Sequence, residues 1–106
     1  MKKETYDKLV RDRIPEIIMS KGAKPVTRTA DDEEYYLYLK QKLIEEVREF
    51  DVSNNLEEIA DILEVMHAII EHKRVNFEYI DKLRKEKAEK RGRFKDKIIL
   101  EEVHEG

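Results

Sequence analysis

Two stretches decide how this chain folds: KLIEEVREF, Lys42–Phe50, and EEIADILEV, Glu57–Val65. Leu43, Val47 and Phe50 in the first, and Ile59, Ile62 and Leu63 in the second, recur at three- and four-residue spacing, the period of a helix face. Acids recur at the same spacing: Glu45, Glu46 and Glu49, then Glu58 and Asp61. Like charges one turn apart cost an exposed helix only roughly 0.2–0.5 kcal/mol per pair, so a solvated surface tolerates them. Whether these acids are tolerated or used is the question the sequence poses.

The turn Asp51-Val52-Ser53-Asn54-Asn55 separates the two stretches. A connection of that length makes them antiparallel neighbours, a helical hairpin. In that register Glu49 stands at the height of Glu58, and Glu46 at the height of Asp61. On a wheel of about 100° per residue, Glu46 and Glu49 lie at one border of the apolar stripe Tyr36, Leu39, Leu43, Val47 and Phe50. Glu58 and Asp61 border the stripe of the next helix, and Glu57 and Glu64 face solvent. Carboxylates gathered at a helix interface resist joint ionisation, because desolvation and mutual repulsion raise their pKa values. A hard divalent cation with oxygen ligands relieves both, and Mg²⁺ retains waters and favours a partner phosphate. The competing reading is a solvated charged face, since a Glu-rich helix produces such spacings by accident.

Working outward, a short helix is predicted from near Pro15 to Lys21-Gly22, with proline in the first turn and glycine at the stop. Ala23 to Ala30 forms an extended link. The second helix opens at Asp31 or Asp32 and runs to about Phe50, with Glu33 and Glu34 near its positive end. Asn54 with Glu57, or Asn55 with Glu58, caps the third helix. That helix carries Leu56, Ile59, Ile62, Leu63, Met66, Ile69 and Ile70, an apolar arc broad enough for burial on more than one side. A fourth helix runs from about Asn76 to Arg91, and the tail Phe94 to Val103 reads as a short strand or an ordered extension. The fold class is all-α, a helical hairpin with flanking helices of four-helix-bundle type. The breadth of the third helix's arc calls for completion by a second copy, as a homodimer or higher homo-oligomer.

The 106 residues read as a single domain over 1–106. There are no cysteines, which removes disulfides and thiolate chemistry. Charged residues make up 44% of the chain, but 22 bases nearly balance 25 acids, and a net charge of −3 argues against a nucleic-acid partner. No long apolar run or signal peptide is present, so no membrane is expected and the cytoplasm is the expected location. Glu64 with His67, and Glu101 with His104, match the ExxH spacing of di-iron bundles, but the first pair projects away from Glu58 and the second lacks a helix.

The EExxE of Glu45, Glu46 and Glu49, followed on the next helix by the ExxD of Glu58 and Asp61, resembles the signature of the MazG-like all-α nucleoside triphosphate pyrophosphohydrolases. That superfamily also includes phosphoribosyl-ATP pyrophosphohydrolase and dimeric dUTPases. The stretches YDKLVRDRIPEII, KPVTRTADDEEY, EEIADILEV and EKRGRF extend the likeness over nearly the whole chain, to a branch of house-cleaning enzymes. The eight residues between the acidic motifs make a short gap for such proteins, and the basic motif that often follows survives in part, as Lys87 and Arg91.

The resemblance implies Mg²⁺-dependent hydrolysis, with Mn²⁺ as a substitute, of a nucleoside triphosphate between the α and β phosphates to monophosphate and pyrophosphate. It implies Glu46, Glu49, Glu58 and Asp61 as metal ligands. Glu45, Glu46 and Glu49 form the catalytic group, with Glu45 either a ligand or the residue that orients or deprotonates the attacking water. Lys42, Lys87, Arg91, Arg11 and Arg13 are the candidate substrate-binding cations, since arginine suits bidentate phosphate contacts and lysine acts as a point charge. Two alternatives stay open: a phosphoribosyl nucleotide as substrate, and a non-catalytic helical interaction module.

Overall fold

The computed structural model describes residues 3–106. Four helices follow in order, α1 (Ile14–Ser20), α2 (Asp32–Ser53), α3 (Leu56–His72) and α4 (Phe77–Arg91), with no strand among the described residues. The architecture is all-α, as the helical period predicts. The chain forms two compact units, one ending at Arg74 and one comprising Val75–Gly106.

In the first unit the helix ends follow local chemistry. Pro15 occupies the first turn of α1, where its missing N–H is not needed. Gly22 closes α1 with φ +87, and its N–H donates to Met19 O while Ala23 N–H donates to Ile18 O, at 3.0 and 3.2 Å. That pair of bonds is a Schellman termination. The Asp31 side chain accepts from Glu34 N–H at 2.8 Å and caps α2, with Asp32, Glu33 and Glu34 in the turn where the helix dipole favours negative charge.

The turn between α2 and α3 is tighter than the sequence suggests. Asp51, Val52 and Ser53 remain helical, so α2 ends at Ser53 and two residues, Asn54 and Asn55, make the connection. Asn54 takes the left-handed conformation, φ 56, and its N–H returns to Phe50 O at 2.8 Å. Asn55 then caps α3 by accepting from Glu57 N–H at 3.0 Å. The reciprocal half of a capping box is absent, because Asn55 N–H donates to Ser53 Oγ at 3.1 Å, which leaves the Glu58 side chain free to turn inward.

Packing of α2 against α3 builds the core. Leu39, at 2% exposed, is the most enclosed side chain, and Val65 and Ile70 are also buried. Leu43, Phe50, Ile62, Met66 and Ile69 are half-buried around them. At the end of the hairpin away from the turn, the Tyr36 ring stacks on His72 at 5.2 Å and Tyr35 meets the same imidazole edge-on at 5.5 Å. Lys40 and Lys73 lie over the Tyr36 ring at 4.5 and 4.6 Å, contacts the apolar stripe did not foretell.

In the second unit, Asn76 caps α4 by accepting from Tyr79 N–H at 2.8 Å, and Gly92, φ +83, follows its last residue. The tail contains no strand, and its Phe94, Ile98, Ile99, Leu100 and Val103 are all exposed.

So small a core concentrates stability in few residues. Leu39→Ala is expected to cost about 3 kcal/mol, the middle of the range for truncating an enclosed leucine. Val26→Ala, at a side chain 95% exposed, is expected to fall within about 0.5 kcal/mol of wild type. Urea denaturation of the two variants checks this, and equal losses would contradict the placement of the core.

Candidate metal and phosphate site

The hairpin register brings the acids together. Glu46, one turn past Lys42 and nearly two past Leu39, points from α2 into the seam and is 6% exposed. Glu58 and Asp61 project from the first two turns of α3, both half-buried. One carboxylate oxygen from each of Glu46, Glu58 and Asp61 lies within 4.8 Å of the others. Glu49 is more exposed and stands outside that triplet, near enough to Glu58 for its charge to act on that carboxyl. Glu45 lies toward the outer side of α2, half-buried.

Burial pushes the Glu46 carboxyl above the usual carboxylate range, and the charges of Glu49 and Asp61 push the same way against the attraction of Lys42. Burial also raises Glu58, reinforced by the charges of Glu49, Asp61 and Glu46. Glu46 Oε2 and Glu58 Oε2 are both buried with no hydrogen-bond partner. A buried carboxylate oxygen without a donor is costly, and two of them on residues that converge with Asp61 make an acceptor-only, oxygen-rich cluster. Hard divalent cations select that donor set, so the residues present fit Mg²⁺ or Mn²⁺.

Among the described residues, three cations border the cluster. Lys42 reaches from within α2 to Glu45 at 3.5 Å and to Glu46 Oε1 at 3.4 Å. The other two come from the chain before α1: Lys8 reaches Glu45 at 3.5 Å, and Arg11 Nη2 donates to Asp61 Oδ1 at 2.7 Å. The Tyr38 hydroxyl donates to Asp7 at 2.9 Å and fixes that segment against α2. The sequence clusters Lys8, Arg11 and Arg13 before Pro15, with Arg11 and Arg13 the better candidates; the parts of Asp7 and Tyr38 came only from the structure. The partners in these contacts are 31 to 50 residues apart in the chain, and an extended segment carries no periodic signal.

The remaining candidate cations are Arg13, Lys87 and Arg91. Arg13 is the N-cap residue of α1 and is exposed. Lys87 and Arg91 are exposed on α4 in the second unit. On that helix Asp81 is held below its usual carboxylate range by hydrogen bonds from Arg84 and Lys85, so it is already neutralised.

No family model matches the chain, and no solved structure matches it. An uncharacterized protein of Mycolicibacterium smegmatis is 58% identical over 41 residues, which cover 39% of this chain and 42% of that protein. The chain therefore spans less than half of that relative's length. No helix among the described residues is long and apolar enough to cross a membrane.

The strain at Glu46 has a measurable sign. Unfolded, the residue ionises near its ordinary value of 4.5; folded, it ionises higher. Between those values the folded state holds the extra proton, so stability falls as pH rises through the window and stays lower above it. Without divalent ions, Glu46→Gln is therefore expected to stabilise the protein at pH 7 by about 1 kcal/mol, by removing a buried, incompletely partnered charge. The gain should vanish below pH 4.5, where wild-type Glu46 is protonated in both states. Urea denaturation at the two pH values checks the pattern; destabilisation at pH 7 would mean that Lys42 already satisfies Glu46.

Proposed function

We propose that this chain is a Mg²⁺-dependent nucleotide pyrophosphohydrolase of the MazG-like type, acting in the cytoplasm. The observation that carries the reading is the seam of α2 and α3, where Glu46, Glu58 and Asp61 converge within 4.8 Å while buried oxygens of Glu46 and Glu58 lack a donor. A solvated charged face would keep its carboxylates in water, and Glu46 is withdrawn from it.

Glu46, Glu58 and Asp61 would hold the ion, with Glu49 at the rim able to complete the set. Mg²⁺ in such a site stabilises charge on phosphate oxygens and acidifies a bound water. Glu45 stands at the edge of the cluster, its charge balanced by Lys8 and Lys42, which suits it to orient the attacking water. Water adds to phosphorus, the phosphoanhydride P–O bond breaks, and the water's proton passes to a cluster carboxylate. The products are a nucleoside monophosphate and pyrophosphate. Lys42, held 18% exposed between Glu45 and Glu46, is positioned to bind a phosphate oxygen as a fixed point charge.

Incubation with a panel of standard and damaged nucleoside triphosphates should release pyrophosphate only when Mg²⁺ is present. Glu49→Gln and Asp61→Asn should each lower the rate about 100-fold or more, the scale on which loss of one group that stabilises developing charge is felt. Release that is indifferent to Mg²⁺ or to both substitutions would overturn the assignment.

The reading extends to assembly. Ile44 and Val47 on α2 and Ile59 and Leu63 on α3 fall on the hairpin face turned away from the acids and are 39–53% exposed. We propose that a second copy covers this face and completes a four-helix bundle, because an apolar surface spanning two helices is rarely left to water. Light scattering at micromolar concentration should give a dimer or higher homo-oligomer, and Leu63→Asp should shift it to monomer. A monomeric wild type would contradict the proposal.

A further inference from the structure

The segment Asp7–Arg11 lies along the acidic side of the hairpin as a strap. Its contacts divide into two kinds. Tyr38 to Asp7, at 2.9 Å, is an anchor that involves neither a cluster carboxylate nor a cation. Lys8 to Glu45 and Arg11 to Asp61 are ion pairs with the cluster itself, and both cationic side chains are substantially exposed, 44% and 56%. Exposed ion pairs contribute roughly 0–1 kcal/mol, so these two can be exchanged for better partners without unfolding the hairpin.

The charge balance shows what drives the exchange. Among the described residues, five carboxylates, Glu45, Glu46, Glu49, Glu58 and Asp61, face three cations, Lys8, Arg11 and Lys42, a shortfall that one divalent ion makes good. The Arg11 guanidinium sits 2.7 Å from Asp61, a carboxylate whose oxygen converges with those of Glu46 and Glu58, and a divalent ion drawn there repels it. The orphaned, buried Glu46 Oε2 is beyond this arginine's service, so the cluster gains by the substitution. Released from Asp61 but tethered through Asp7, Arg11 remains beside the ion with a planar fork of donors that matches phosphate oxygens two at a time.

We propose that the Asp7–Arg11 strap is the phosphate-recognition element of this site, its cations neutralising Asp61 and Glu45 until a divalent ion displaces them and then binding the phosphates of a polyphosphate substrate. The inference rests on the metal-site reading above and adds a consequence that reading lacks: the strap opposes the bare ion and assists the anion, so one substitution moves the two affinities in opposite directions.

Calorimetric titration tests this without turnover, using Mn²⁺ alone and then inorganic pyrophosphate in saturating Mg²⁺. For Arg11→Ala, the Mn²⁺ Kd should fall about fivefold, the scale of a lost exposed ion pair, and the pyrophosphate Kd should rise about tenfold, the scale of a lost charge-assisted contact. Arg11→Lys, which keeps the charge but not the fork, should bind Mn²⁺ as wild type does and pyrophosphate with intermediate affinity. Either constant unchanged in Arg11→Ala, or both weakened together, overturns the strap while leaving the metal site standing. Folded wild type and Arg11→Ala that both fail to bind Mn²⁺ would instead overturn the metal site, and the strap with it.

Discussion

The carboxylate of Glu46 is the constraint on which the rest of the structure turns. It is 6% exposed at the seam of a hairpin whose enclosed apolar side chains are only Leu39, Val65 and Ile70 among the described residues. A core that small has little stability to spare for an ionised group without full partnership. The surrounding chain answers the charge piecemeal: Lys42 takes one oxygen, Asp61 is shared out to Arg11, and the buried second oxygens of Glu46 and Glu58 receive nothing. A site that is locally unsatisfied and globally well placed is where sequence and fold are expected to favour function over stability.

Much of this was legible in the sequence because it follows from period and register. The helical spacing located all four helices, and the antiparallel pairing of heights joined Glu46 with Asp61 and Glu49 with Glu58. The extra turn Asp51–Ser53 was not legible: those residue types read locally as a turn, but the helix continues until Asn54 can adopt a left-handed φ of 56. Val65 was also missed as core. It lies seven residues after Glu58 and four after Asp61, in line with the acids, and counting the apolar arc alone displaced the face toward Leu63, which is 53% exposed.

The strap before α1 was least legible, for a physical reason. Helices announce themselves by periodicity, whereas an extended segment held by three long-range polar contacts has no internal pattern to read. Its composition, basic residues beside Asp7 and Pro15, is compatible with any solvated terminus. The structure gives those residues distinct parts: Asp7 is an anchor for Tyr38, Lys8 and Arg11 are partners for the acids, and Arg13 is the residue from which α1 departs. Within the first unit, the hairpin thus presents charge on one side and exposed apolar residues on the other.

The most direct test of the account is crystallographic, using the anomalous scattering of Mn²⁺ in crystals grown with the ion. The account predicts a single dominant anomalous peak or a close pair at the α2–α3 seam, within coordination distance of Glu46, Glu58 and Asp61. A seam without anomalous density at saturating Mn²⁺, with those carboxylates arranged as they are here, would contradict it and return the acids to the status of a charged surface.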